Sequence, residues 1–168
     1  MAYLRRLLVG AIGAVSLVGA GAVGVSAHEG RTLIEFDSMS PVTGAAVGAV
    51  NDRGIKGGGL PWVISAGSGE VSRDGAVHVT VRGLIIVVPP VGGHNPVANF
   101  SATVSCMTPH GVVNVTTGLF HASLAGDSTI NAKVTLPRQC KHPEVFVGTT
   151  TPTGAFVWFA ESNSEDED

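Results

Sequence analysis

The chain has 168 residues, only 14% of them charged, with 10 Lys and Arg against 13 Asp and Glu and a net charge of −3. A chain so poor in charge has no basic patch to neutralise phosphates, which argues against a nucleic-acid partner. Its length suits one domain able to bury a sizeable core.

The first residues read as an export signal. Arg5 and Arg6 precede an uncharged run from Leu7 to Ala27, and small residues at Val25-Ser26-Ala27 meet the polar His28-Glu29-Gly30-Arg31. A basic start, an apolar middle and small residues before a polar segment make a secretory signal cleaved after Ala27. The alternative is an uncleaved N-terminal membrane anchor with the domain outside, since the run is long enough to span a bilayer. Its five glycines and the lack of a basic cluster after it favour cleavage. Gly19-Ala20-Gly21-Ala22-Val23-Gly24 spells a dinucleotide fingerprint, but it lies within the signal and follows no domain strand. Beyond the signal, Asp and Glu outnumber Lys and Arg, and Glu165 to Asp168 form an acidic end. Residues 161–168 therefore read as a solvated, disordered tail, leaving 28–160 as the domain.

Taken in order, the candidate strands begin with Leu33–Phe36. The Ala/Val/Gly stretch Gly44–Val50 reads as a single helical turn. Asn51 to Pro61 follows as a glycine-rich loop, with Asp52, Arg53, Lys56, Gly57, Gly58 and Gly59 leading to Trp62. Its glycines permit close backbone approach, and its position between strands makes it a candidate binding loop. The phosphate-binding Lys-Ser/Thr of a P-loop does not follow. Trp62–Ser65 is a short candidate strand. Ala76 to Arg82 alternates cleanly, with Val77, Val79 and Val81 opposed to His78, Thr80 and Arg82. Leu84–Val88, a continuous β-branched run, is expected to be covered on both faces. Phe100, Ala102, Val104 and Cys106 form an inward set against Ser101, Thr103 and Ser105. Val112–Thr117 and Leu119–Leu124 follow, then Ile130, Ala132, Val134 and Leu136, and finally Val145–Thr149 and Ala155–Ala160. Ser72–Gly75, Ala125–Asp127 and Pro152–Gly154 are turn chemistry between strands.

No segment after the signal sustains a helical period. The spacing predicts an all-β, single-domain antiparallel β-sandwich of Greek-key kind, with about 8–9 strands. The two cysteines, Cys106 and Cys140, are even in number in a chain marked for export, so a disulfide is expected. Their placement suggests a clamp between the sheets. The neighbouring His110 and His142 give C-x₃-H and C-x-H spacings, which match no common zinc pattern.

The run Gly126–Pro137, with Cys140 and Pro143-Glu144-Val145-Phe146-Val147 after it and Gly57-Gly58-Gly59-Leu60-Pro61-Trp62 before it, resembles small secreted bacterial proteins of unassigned function. That resemblance covers most of the mature chain and implies no activity or site residues.

Three chemistries are weighed on the residues. Cleavage after Ala27 makes His28 the N-terminal residue, and an α-amine with its own imidazole is a nitrogen clamp suited to Cu(II). Copper sites of this kind need further ligands from the fold; no H-x-H or Asp-x-His motif nominates them, and His78 is a candidate. Ser68, within Gly67-Ser68-Gly69, lacks the outer spacing of a nucleophile elbow. The acid pairs Glu35/Asp37 and Glu70/Asp74 invite comparison with glycosidases, which need one acid to protonate the leaving group and a second to attack or activate water. Asn99-Phe100-Ser101 and Asn114-Val115-Thr116 match the glycosylation acceptor pattern. Phe156-Val157-Trp158-Phe159 is apolar on both faces and is expected to be core or, on an edge strand, an assembly surface. The sole tyrosine, Tyr3, falls in the signal, so aromatic-rich binding modes are poorly served.

The expectation is a secreted, non-catalytic structural or binding protein needing no cofactor. Its partner is an extracellular protein, a cell-surface component or a second copy. An exported copper protein and a small secreted hydrolase are the alternatives.

Overall fold

A computed structural model describes residues 32–163, so the segment read as a signal, His28 and the final acidic residues lie outside the described residues. The described residues form thirteen strands and one 3₁₀ turn, Gly44–Ala46, where a helical turn was expected. The strands are β1 Thr32–Phe36, β2 Met39–Pro41, β3 Lys56–Gly57, β4 Trp62–Val63, β5 Ala66–Ser72, β6 Ala76–Arg82, β7 Ile85–Ile86, β8 Asn99–Thr108, β9 Gly111–Thr116, β10 Phe120–His121, β11 Ser128–Lys133, β12 Lys141–Thr150 and β13 Phe156–Ser162. Eight of them have five or more residues, in line with the expected number, and the other five are pieces of two or three.

The smaller sheet has the order β1-β5-β6-β11. The larger runs β10-β8-β12-β13-β2, with β9 also on β8 and β3 also on β13, while β4 and β7 form a separate ribbon. Since β9 and β10 follow each other along the same edge of β8, they act as one interrupted edge strand. The chain crosses between the sheets from β1 to β2, β3 to β5, β6 to β8, β10 to β11 and β11 to β12. These crossings give the sandwich its Greek-key character. Both sheets feed one core cluster that includes Phe36, Val71, Val79 and Ile130 from the smaller sheet and Phe100, Val104, Val147 and Phe159 from the larger.

Alternation produces that core directly. Val77, Val79 and Val81 are buried while His78 and Arg82 are exposed, as a half-buried strand requires. β5 is absent from the expected strands because Ala-Gly-Ser-Gly-Glu-Val-Ser holds a single β-branched residue, Val71. Its two other inward positions are glycines for a steric reason: a Cβ on Gly67 would lie 2.6 Å from Met39 Cγ, and one on Gly69 would lie 2.8 Å from Phe36 Cζ. Side chains from β1 and β2 fill the space that β5 leaves empty. The turn at Ser72–Gly75 closes the β5–β6 hairpin, with Gly75 at φ +88° and its N–H donating to the Ser72 carbonyl.

Other expectations change as well. Leu84–Val88 is not a strand covered on both faces. Gly83 turns the chain at φ +63°, Leu84 N–H donates to the Gly126 carbonyl, and only Ile85–Ile86 pair, leaving Val87 50% exposed. The Cys106–Cys140 disulfide is present, with Cα atoms 4.7 Å apart, but it does not clamp the sheets together. Cys140 immediately precedes Lys141, which pairs with Met107 beside Cys106, so the bond staples β8 to β12 within the larger sheet. The last strand continues to Ser162, which is buried, and Asn163 N–H donates to the Ser38 carbonyl. Regular structure thus ends beyond residue 160.

Candidate functional site

The glycine-rich segment folds back on itself as an arm. Gly48 N–H donates to the Gly58 carbonyl at 2.8 Å and Gly57 N–H to the Ala49 carbonyl at 2.7 Å, with a bridge between Val50 and Lys56. Asn51 organises the tip: its Oδ1 accepts from the backbone N–H groups of Arg53 and Ile55 at 3.1 and 2.8 Å. Such a side-chain cap on the backbone is what Asn supplies in turns, and Gly54 meets the turn's demand for positive φ at +73°.

The arm lies across the outer face of the larger sheet. It leaves from β3, which is paired to Val157 and Trp158 of β13. Arg53 Nη2 donates to Glu144 Oε1 at 2.5 Å and to the His142 carbonyl at 3.0 Å, both on β12. Asn114 Nδ2 of β9 in turn donates to the Arg53 carbonyl at 2.9 Å. This reach explains why Ser101, Thr103, Ser105, Phe146 and Trp158 are buried although they point away from the inter-sheet core. Under the arm, Arg53 Nε and Nη1, Ser101 Oγ, Ser105 Oγ and Trp158 Nε1 are buried without hydrogen-bond partners.

The candidate loop residues therefore divide. Arg53, Gly57, Gly58 and Trp62 are buried, and Asp52, Lys56 and Gly59 are exposed. Arg53 is a clasp at 3% exposure, and Trp62 belongs to the core rather than to a binding surface. A Cβ on Gly57 would lie 2.2 Å from the Ala46 carbonyl oxygen, so this glycine serves packing. Replacing Arg53 with alanine should destabilise the protein by about 1–3 kcal/mol, the range for loss of a partner to buried polar groups. Hydrogen exchange should then quicken at the Gly48 and Gly57 amides, which hold the arm closed.

Glu161 of β13, half-buried, has its carboxyl pushed above the ordinary value of 4.5 by burial, then by the negative charges of Glu144 and Asp52. The folded protein therefore holds this proton more tightly than the unfolded chain does. The resulting penalty is absent below the ordinary glutamate range and complete above the raised value. Glu161→Gln should raise the melting temperature at neutral pH, and the gain should vanish as pH falls below about 4.5.

The outer face of the smaller sheet is polar. Register aligns Glu35, Glu70, His78 and Asn131 in one row across all four strands. A shallow depression of about 590 Å³ on this face is lined by Glu70, Ser72, Asp74, His78, Asn131 and Lys133, among others. The groups are mutually occupied. Thr32 Oγ1 donates to Glu70 Oε1 at 2.8 Å, His78 Nδ1 meets Asn131 Oδ1, and Lys133 Nζ bonds Asp74 Oδ2 at 2.7 Å. Lys133, then the Ser72 hydroxyl and the Ala76 N–H, hold the Asp74 carboxyl far below the usual carboxylate range. A carboxyl so held is a poor proton donor at neutral pH, opposite to what a glycosidase acid needs. Glu35 sits opposite Glu70 across the strands rather than forming a site with Asp37.

The remaining candidates are dispersed. His78, His94, His110, His121 and His142 are all exposed, and no group of three or more His, Cys, Asp or Glu placed to hold a metal occurs among the described residues. Ser68 faces Thr80 across the β5–β6 hairpin. Asn99 is half-buried at the start of β8, and Asn114 is exposed on β9. Trp158 packs edge-on against Phe146 with ring centroids 5.6 Å apart on a strand flanked on both sides, so Phe156–Phe159 is not an edge surface.

Among the described residues, the sheet edge left open is β9. Val112 and Val113 are 40% and 36% exposed, and Gly111 to Phe120 contains no charged residue and no proline. The other edges carry protection of the usual kinds. Glu35 lies in β1 and Lys133 in β11, while the far edge of the larger sheet is broken into the short β2 and β3, with Pro41 and Lys56. The signal for this site was in the sequence, as an uncharged β-branched run, but which strand lies at an edge depends on pairing. No protein-family model matches the chain, and no match was found among curated proteins or solved structures.

Proposed function

We propose that the chain is an exported, non-catalytic structural or binding module, with its signal removed after Ala27 and its contacts made through the β9 edge. The observation that carries this reading is the uncharged edge strand β9, set against described edges that carry a charge, a proline or a break. The Cys106–Cys140 bond is in keeping with an oxidising compartment. The partner class is an extracellular protein or cell-surface component that can present an extended strand, or a second copy. The test is intact mass measurement on protein recovered from the culture medium. A chain starting at His28 and lighter by two hydrogens supports the reading. A full-length chain confined to membranes, or two free thiols, overturns it.

A further inference from the structure

The pairing of β9 with β8 fixes which of its backbone groups are unused. Thr117 N–H donates to the Ala102 carbonyl at 2.8 Å, and the same register carries through Val104 and Val115 to Cys106 and Val113. In an antiparallel pair, residues that exchange hydrogen bonds alternate with residues whose N–H and C=O turn to the other side. Val113 and Val115 therefore bond toward β8, and Val112, Asn114 and Thr116 present their backbone groups outward. We propose that this edge pairs antiparallel with the β9 of a second copy about a two-fold axis at Asn114, joining two larger sheets into one. The proposal rests on the edge reading above and names its occupant.

Charge, register and the course of the chain select a second copy. Two-fold pairing gathers identical side chains around the axis, so any edge charge is repelled by its own like. No charge occurs from Gly111 to Phe120, and the residue at the axis is a neutral amide. A register centred on Asn114 uses every outward backbone group, setting Val112 opposite the second copy's Thr116 and Asn114 opposite the second copy's Asn114. It also sets Val113 beside the second copy's Val115 on one face and adds cover to the exposed Val112 on the other. The described residues begin at Thr32, which opens β1 on the smaller sheet, and end at Asn163, tied to Ser38 at the β2 side of the larger sheet, the edge opposite β9.

The experiment is light scattering with residue-resolved amide exchange on the mature protein, from dilute to concentrated solution. The expected result is a mass rising from monomer to dimer, with new protection at the Val112, Asn114 and Thr116 amides. Asn114→Lys and Asn114→Glu should each abolish the dimer, and an equimolar mixture of the two should restore it. A wild-type monomer at every concentration overturns the proposal, as does a dimer whose new protection falls elsewhere. The wild-type exchange data decide the matter even if a substitution at Asn114, which also holds the arm, unfolds the protein. A monomer whose same three amides become protected by an uncharged extended peptide sinks self-pairing and leaves the edge reading standing. The absence of protection in both cases sinks both.

Discussion

Trp62→Ala should remove about 3–5 kcal/mol of stability, the cost of truncating a large buried aromatic side chain. Trp62 is 2% exposed. Its ring stacks on Phe159 with centroids 4.0 Å apart and planes 17° apart, and it meets Phe100 edge-on at 6.4 Å. Phe100 and Phe159 close the triangle at 6.0 Å, and each such pair adds about 0.5–1.5 kcal/mol beyond the area it buries. The Trp62 backbone N–H, which alanine retains, donates to the Val42 carbonyl at 2.9 Å, but the ring's loss still reaches the arm. Gly58 packs so closely on the same ring that a Cβ there would lie 2.8 Å from Trp62 Nε1. A domain holds only about 5–15 kcal/mol in total, so the variant should be marginal. Urea unfolding is the measurement: the midpoint should fall sharply, and Trp62→Phe, which keeps a stacking ring, should recover much of the loss. A change below about 1 kcal/mol for the alanine variant would contradict core placement.

Those parts of the fold that depend on a side chain's own period were legible in the sequence. Val77, Val79 and Val81 on β6, and Phe100, Ala102, Val104 and Cys106 on β8, point inward as their alternation requires. What was not legible depends on partners distant in sequence. β5 reads as a loop because Gly67 and Gly69 stand where Met39 and Phe36 enter. Ser101, Thr103 and Ser105 alternate outward, yet they are buried because the arm crosses above them. Arg53 looks like a surface charge on a glycine-rich loop. Its carboxylate, Glu144, lies 91 residues away, and no local pattern joins the two. The candidate site follows the same division. The composition of Gly111–Thr116 is plain in the chain, but its edge position follows from β8 having β12 on its other side. Trp158 reads first as core and is buried, but that β2 and β3 cap β13 above it depends on pairing.

Cys106→Ala/Cys140→Ala should cost about 3.5–4 kcal/mol, from the entropy of closing a loop 34 residues long in the unfolded chain. The enclosed segment explains why this staple matters to the architecture. Between the two cysteines the chain forms β9 and β10 on the larger sheet, crosses to the smaller sheet as β11, and returns to the point where β12 begins. The bond ties that return to its starting strand, beside the Met107–Lys141 pair. Here the register of β12 on β8 is irregular between Lys141 and Glu144, and His142 sits at φ +42°. Cys106 is fully buried, so the alanine variant also loses a little packing, whereas reduction of the wild type leaves both sulfur atoms in place. Denaturant midpoints for oxidised, reduced and double-alanine protein separate the two terms. Reduced and alanine forms should both fall well below the oxidised protein, with the alanine form slightly the lower. Equal midpoints for oxidised and reduced protein would show that the bond removes no freedom from the unfolded chain, and would overturn the prediction.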